Sequence, residues 1–163
     1  MSDSLTDGKK QTLLRIARES LENAVCGKSL PPVEKESLTP ALRENGASFV
    51  TLTIQGELRG CIGALEAYQQ LAQDVREHAV AAALEDPRFP PVSESELSRI
   101  HIEVSRLTSP KELEYVDADD LLVKLRPHVD GVILKHGQRK ATFLPQVWEK
   151  IPNPREFLAQ LCY

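Results

Sequence analysis

Residues 49–63 place the tightest limit on what this chain can fold into. The run Phe49-Val50-Thr51-Leu52-Thr53-Ile54 alternates apolar and polar side chains from Val50 onward. After a turn at Gln55-Gly56-Glu57 a second run follows, Leu58-Arg59-Gly60-Cys61-Ile62-Gly63. Alternation of this kind marks a half-buried strand, and two such runs around a glycine turn make an antiparallel hairpin. On the first strand Val50, Leu52 and Ile54 share the buried face. On the second, Leu58, Gly60 and Ile62 share a face, which sends Arg59 and Cys61 together to the opposite one. A thiol then stands roughly 7 Å along the strand from a permanent positive charge. Gly60 and Gly63 remove the side chains beside it, so backbone or ligand can approach closely.

Periodicity elsewhere predicts helices and one further long strand. Leu13, Ile16, Ala17, Leu21, Ala24 and Val25 form an apolar stripe over a helix at residues 8–26, with Gly27 as its stop. Thr39-Pro40 opens a short helix that Asn45-Gly46 closes. A longer helix over 68–85 carries Leu71, Val75, Ala79 and Ala82 and ends at Asp86-Pro87. Ser93-Glu94-Ser95-Glu96 reads as a capping box for one helical turn. Residues 100–107 alternate, with Ile100, Ile102 and Val104 inward and His101, Glu103 and Ser105 on the other face. A short helix at 117–126, a second hairpin at 132–143 around Gly137, and helical turns after Pro145 and Pro154 complete the chain. Hairpins interrupted by helices, without a regular strand-helix-strand beat, predict an α+β fold with an antiparallel sheet flanked by helices. No repeat or second domain is visible, so residues 1–163 are read as one domain.

Composition narrows the class. With 163 residues, 41% hydrophobic and 27% charged, the chain can bury about two-thirds of its unfolded surface as an ordinary soluble domain. A net charge of −4 argues against nucleic acid as a partner, because phosphate binding needs a basic face. No apolar run is long enough to span a membrane, and Met1-Ser2-Asp3-Ser4-Leu5 has no secretory pattern. Cys26, Cys61 and Cys162 are an odd number at unrelated spacings, which suits reduced thiols in a cytoplasm.

Each candidate site residue has a chemical and a structural reading. Cys61 is either a reactive thiolate favoured by Arg59 or a small buried filler. Arg59 either holds an anionic ligand through its planar fork or makes a structural salt bridge, with Glu103 the candidate partner. Glu103 and Ser105, one residue apart on one strand face, form either a proton relay and polar lining or a solvated surface. Arg88, in the rigid loop Asp86-Pro87-Arg88-Phe89-Pro90-Pro91, either binds or merely follows prolines that stop a helix. Asp130-Gly131 is explained by turn chemistry alone. His78, His101, His128 and His136 lack metal spacing, and no nucleotide-binding loop or nucleophile elbow is present. Neither a metal nor a cofactor is therefore expected.

The hexamer Leu58-Arg59-Gly60-Cys61-Ile62-Gly63 resembles the signature of the AMMECR domain family, whose bacterial and archaeal members are labelled AmmeMemoRadiSam system protein A. Later segments resemble that family's blocks in the same order: Asp86-Pro87-Arg88-Phe89-Pro90-Pro91-Val92, Ile102-Glu103-Val104-Ser105, Asp130-Gly131-Val132, Thr142-Phe143-Leu144-Pro145-Gln146-Val147 and Phe157-Leu158-Ala159-Gln160-Leu161-Cys162. The resemblance implies a larger and a smaller subdomain with a cleft between them. It also implies a final strand beyond Leu161-Cys162, a segment this sequence does not contain. For function it implies Memo-type and radical-SAM proteins as partners. The chain has no three-cysteine cluster motif of its own.

Two functions from different classes remain. In the first, an enzyme or enzyme component binds a small anionic molecule around Arg59, Gly60, Arg88 and Ser105, with Cys61 as nucleophile or acid/base and Glu103 moving protons. In the second, a non-catalytic module uses the same surface for a protein partner. Aromatic content of 5%, with Trp148 the sole tryptophan, argues against a large interface and favours the first.

Overall fold

The computed structural model describes residues 5–163; the amino-terminal stretch read above for a secretory pattern lies, through residue 4, outside the described residues. The chain divides into two compact units, a larger one over Met1–Ser109 and a smaller one over Pro110–Tyr163. The larger unit contains helix α1 (Asp7–Val25), the short helix α2 (Pro40–Arg43), strands β1 (Ala47–Ile54) and β2 (Glu57–Gly63), helix α3 (Leu71–Leu84) and strand β3 (Ile100–Leu107). Its sheet is antiparallel with order β2-β1-β3, so the expected hairpin and the expected long strand are neighbours. The fold is α+β with antiparallel sheets, as periodicity predicted.

The buried face of that sheet is the one the alternation assigns. Val50 and Leu52 are fully buried and pack with Ile100 and Ile102 against Leu71, Val75, Ala79 and Ala82 of α3 and Leu13, Ala17 and Leu21 of α1. Each such Val or Leu contributes about 1.5–3 kcal/mol through removal from water. Helix α3 presents a face of small residues, which brings its backbone close to the sheet. Gly60 answers it on β2: a Cβ built there would overlap the Ala82 carbonyl oxygen. A polar group also sits in this interface. Asp74 is fully buried and accepts bonds from the Ser48 backbone nitrogen at 2.8 Å and the Ser48 hydroxyl at 2.6 Å. His78 Nδ1 lies 3.1 Å from the same carboxylate oxygen.

The hairpin differs from the expected register at three residues, Glu57, Leu58 and Arg59. Its loop is the two-residue turn Gln55-Gly56, with φ of 52° and 80°, the positive values that a type I′ turn requires. A two-residue loop run without interruption would bring Cys61 opposite Val50, into the core. A bulge at Arg59 prevents this: Leu52 pairs with Gly60 and Thr53 with Leu58, so Arg59 is the extra residue. Gly60 and Ile62 thus keep the face predicted for them. Leu58 moves to the Thr53 row and is 39% exposed, so it does not share a face with Gly60 and Ile62 as expected.

In the smaller unit, helix α4 (Ala118–Lys124), the hairpin of β4 (Val132–His136) and β5 (Arg139–Phe143), and helix α5 (Pro154–Leu161) surround a compact aromatic core. Trp148 stacks on Phe157 at 3.7 Å, and Phe143 meets Phe157 edge-on. The Trp148 indole donates to the Asp130 carbonyl at 2.6 Å, while the Asp130 carboxylate accepts from the Arg126 backbone and guanidinium. Asp130 is thereby accounted for structurally. Among the described residues no helix is long and apolar enough to cross a membrane.

Candidate functional site

Strand β2 is an edge strand, and its outward backbone groups at Cys61 are taken by one loop. The Cys61 amide donates to Asp86 Oδ2 at 2.9 Å, and the Cys61 carbonyl accepts from Arg88 Nη2 at 3.3 Å. Arg88 closes the arrangement on Asp86, donating from its backbone nitrogen at 3.1 Å, from Nε at 3.0 Å and from Nη2 at 2.7 Å. Helix α3 stops before this loop, and Pro87 prevents its continuation. Asp86 is 4% exposed. Hydrogen bonds from Arg88, helped by the Cys61 and Arg88 amides, outweigh burial and hold its carboxyl well below the usual carboxylate range. The same hydrogen bonds raise Arg88, with a smaller electrostatic contribution from Cys61. Arg88 thus places a cation against the Cys61 backbone.

Arg59 goes elsewhere. The bulge removes the constraint that would align it with Cys61, and its guanidinium grips Glu96, Nε to Oε1 at 2.8 Å and Nη2 to Oε2 at 3.2 Å. Glu96 is the carboxylate of the predicted capping box and also accepts from the Ser93 amide at 2.8 Å and hydroxyl at 3.0 Å. Arg59 first, then the Ser93 amide, pushes its carboxyl down to about 2. The expected partner Glu103 is therefore replaced by Glu96. The segment bearing Glu96 is anchored from the other side by Arg18, which donates to the Leu97 and Ile100 carbonyls. Nη1 of Arg59 is buried and has no acceptor. The Phe89 ring lies near both guanidinium groups, 6.0 Å from Arg59 and 5.6 Å from Arg88.

Cys61 faces Thr51, its cross-strand partner, with Sγ 3.3 Å from Oγ1, and it is half-buried. Thr51 also pairs with Glu103 on β3, so thiol, hydroxyl and carboxylate form one row across the sheet. Ser105 belongs to the next row, with Phe49 and Gly63. Gly60, where backbone or ligand was expected to approach closely, takes the backbone of α3. Glu103 lines a concavity of about 500 Å³ with Leu13, His101 and Arg106, and neither Arg59 nor Cys61 takes part in it. Among the described residues no group of three His, Cys, Asp or Glu side chains is arranged to hold a metal.

Three acidic residues matter more than sequence reasoning recognised. Glu96 was legible as a cap but not as the partner of Arg59, which is 37 positions away. Asp86 was legible as part of a rigid loop but not as a clamp on the β2 backbone. Asp74 and His78 lie four residues apart on the apolar stripe that includes Leu71 and Val75. A carboxylate on such a stripe demands buried partners, and that signal was present.

The AMMECR1 family matches residues 14–163 of this chain. A protein of Methanothermobacter thermautotrophicus is 38% identical over 166 residues, which cover 97% of this chain and 82% of that one. Protein Mbar_A1807 of Methanosarcina barkeri is 36% identical, covering 97% of this chain and 79% of its own length. Among solved structures, uncharacterized protein PH0010 from Pyrococcus horikoshii superposes with a TM-score of 0.88 at 33% identity, over 97% of this chain and 80% of that one. None of the three is named for an activity.

Proposed function

The chain belongs to the AMMECR1 family, and from that premise we propose that it binds a small anionic molecule beside the β2 edge, as an enzyme or enzyme component. The observation that carries this reading is the buried, acceptor-less Nη1 of Arg59. A buried charged donor left without a partner costs about 1–3 kcal/mol, and an anionic oxygen is the group that satisfies it best. Arg88, with its side chain 54% exposed, supplies the second positive group. Cys61, half-buried beside Thr51, is the nucleophile within that field, and the row through Thr51 to Glu103 is the route for a proton. Because Asp86 and Glu96 balance the two arginines, recognition here rests on directed hydrogen bonds more than on net charge. All three cysteines are free, which supports work in a reducing cytoplasm. Memo-type and radical-SAM proteins are the partners to test first.

An interaction module is the second reading. It is favoured by the exposure of Leu113 (43%), Tyr115 (53%), Val116 (90%) and Val123 (83%) in the smaller unit.

Titration with inorganic phosphate and with succinate, followed by NMR, tests the first reading. Arg59→Lys keeps a charge for Glu96 but lacks the third nitrogen. Binding that weakens about tenfold in this variant supports the proposal. Equal binding, or none in the wild type, removes it and leaves the interaction module ahead.

A further inference from the structure

At the start of α3, the larger unit contains a cavity of about 410 Å³ lined by Val33, Asn45, Gln69, Gln70 and Gln73. Among the described residues that line it, four of five side chains are carboxamides and none is a lysine or arginine. The region is pinned by backbone bonds: Gly46 to the Gln69 carbonyl at 3.0 Å, Leu71 to the Glu44 carbonyl at 2.8 Å, and a bridge between Asn45 and Gln70. Its walls are thus held by chain segments distant in sequence.

The orientation of two amides follows from their neighbours. Gln69 Nε2 faces Asp74 Oδ1 at 3.2 Å, Glu77 Oε2 at 2.9 Å and the Tyr68 hydroxyl at 3.0 Å. Gln73 Nε2 faces Glu77 Oε1 at 2.9 Å. Ionised carboxylates only accept, so an amide beside one must turn its nitrogen toward it. Both carboxylates are ionised at neutral pH. Burial would raise Asp74, but bonds from His78, Ser48 and Gln69 outweigh it, and bonds from Gln73 and Gln69 lower Glu77. With their nitrogens committed, Gln69 and Gln73 have their carbonyl oxygens left as the acceptors for anything that enters. Tyr68, 61% exposed, adds an aromatic ring next to Gln69.

We propose that this amide-lined cavity binds a small organic cation carrying a primary ammonium or guanidinium group. The donors of such a cation meet the Gln69 and Gln73 oxygens, the charge is balanced by Glu77 and, through Gln69, by Asp74, and the Tyr68 face is available for a cation–π contact. The site is separate from the Arg59 region and takes a ligand of opposite charge.

Agmatine, which has a guanidinium at one end and an ammonium at the other, is the probe. Titrated into the ¹⁵N-labelled full chain, it should shift the side-chain amide signals of Gln69, Gln73 and Asn45 along one saturable curve. Glu77→Gln, a change at an exposed position, should weaken that binding about fivefold, and Gln73→Leu about tenfold. Arg59→Lys should leave it unchanged, so this inference and the anion site stand or fall independently. Three outcomes overturn it: no saturation by about 10 mM, equal affinity in Glu77→Gln and Gln73→Leu, or shifts scattered over acidic surface residues with no focus on the cavity amides.

Discussion

Arg59 holds both oxygens of Glu96, at 2.8 and 3.2 Å, and in doing so ties the bulge of β2 to the helical turn that launches β3. The two elements belong to strands on opposite edges of the sheet, and the pair that spans them has side chains only 13% and 19% exposed. The same pair turns Arg59 away from the row that holds Cys61 and leaves its third nitrogen buried.

Removing the carboxylate should therefore cost stability. Glu96→Gln leaves a mostly buried guanidinium without its counter-charge and weakens the Ser93 cap, for an expected loss of about 1–3 kcal/mol, between exposed and fully buried pairs. The folded carboxyl is depressed from 4.5 to about 2, so its contribution is fully present above the unfolded value and disappears as pH falls through the folded one. Urea denaturation of wild type and variant should differ most above pH 5 and converge below about pH 2. A constant difference across that range would deny the ion pair its role.

Gly60→Ala should separate helix from sheet. The added methyl meets the Ala82 carbonyl oxygen, which belongs to a helix backbone and cannot swing aside. Overpacking of this kind costs about 1–3 kcal/mol, or more where backbone must move. Gly8→Ala, where nothing lies within 4 Å, is the control and should be neutral or slightly stabilising. Thermal melts of the two variants read the contrast directly, and equal melting temperatures would count against the close approach.

Asp74→Asn should be more damaging than its small change in shape implies. The carboxylate accepts from Ser48, His78 and Gln69, and an amide replaces one accepting oxygen with a donor that faces donors. A loss of about 2–3 kcal/mol is expected. The folded carboxyl titrates below its ordinary range, so the contribution holds at neutral pH and is lost as pH drops below about 4. A difference under about 0.5 kcal/mol at pH 7 in urea would show the network to be dispensable.

Arginine substitutions should act unequally on the Cys61 thiol. Arg88 bonds the Cys61 carbonyl, whereas Arg59 is committed to Glu96. With Cys26 and Cys162 replaced by serine, iodoacetamide should alkylate Cys61 several-fold more slowly at pH 7 in Arg88→Met than in the parent. Arg59→Met should change the rate less. The reverse order would restore Arg59 as the charge that governs Cys61.

Sequence alone determined the elements and the face each one buries. Val50, Leu52, Ile102, Leu71 and Val75 reach the core because two- and 3.6-residue periods follow from backbone geometry and leave apolar residues one stable direction. The cap at Ser93 and Glu96 was readable for the same local reason. The bulge was not. A three-residue turn and a two-residue turn followed by a bulge pair Gly60 and Ile62 identically, so alternation does not separate them, and only Glu57, Leu58 and Arg59 differ. Nor did local pattern reveal that Glu96 holds Arg59, that Asp86 clamps the Cys61 backbone, or that Gln69 links a cavity to buried Asp74. Which charges meet depends on how close packing brings distant segments together. In this chain the Gly60 and Ala82 contact sets that approach, because a side chain on Gly60 would hold α3, and the loop that follows it, away from β2.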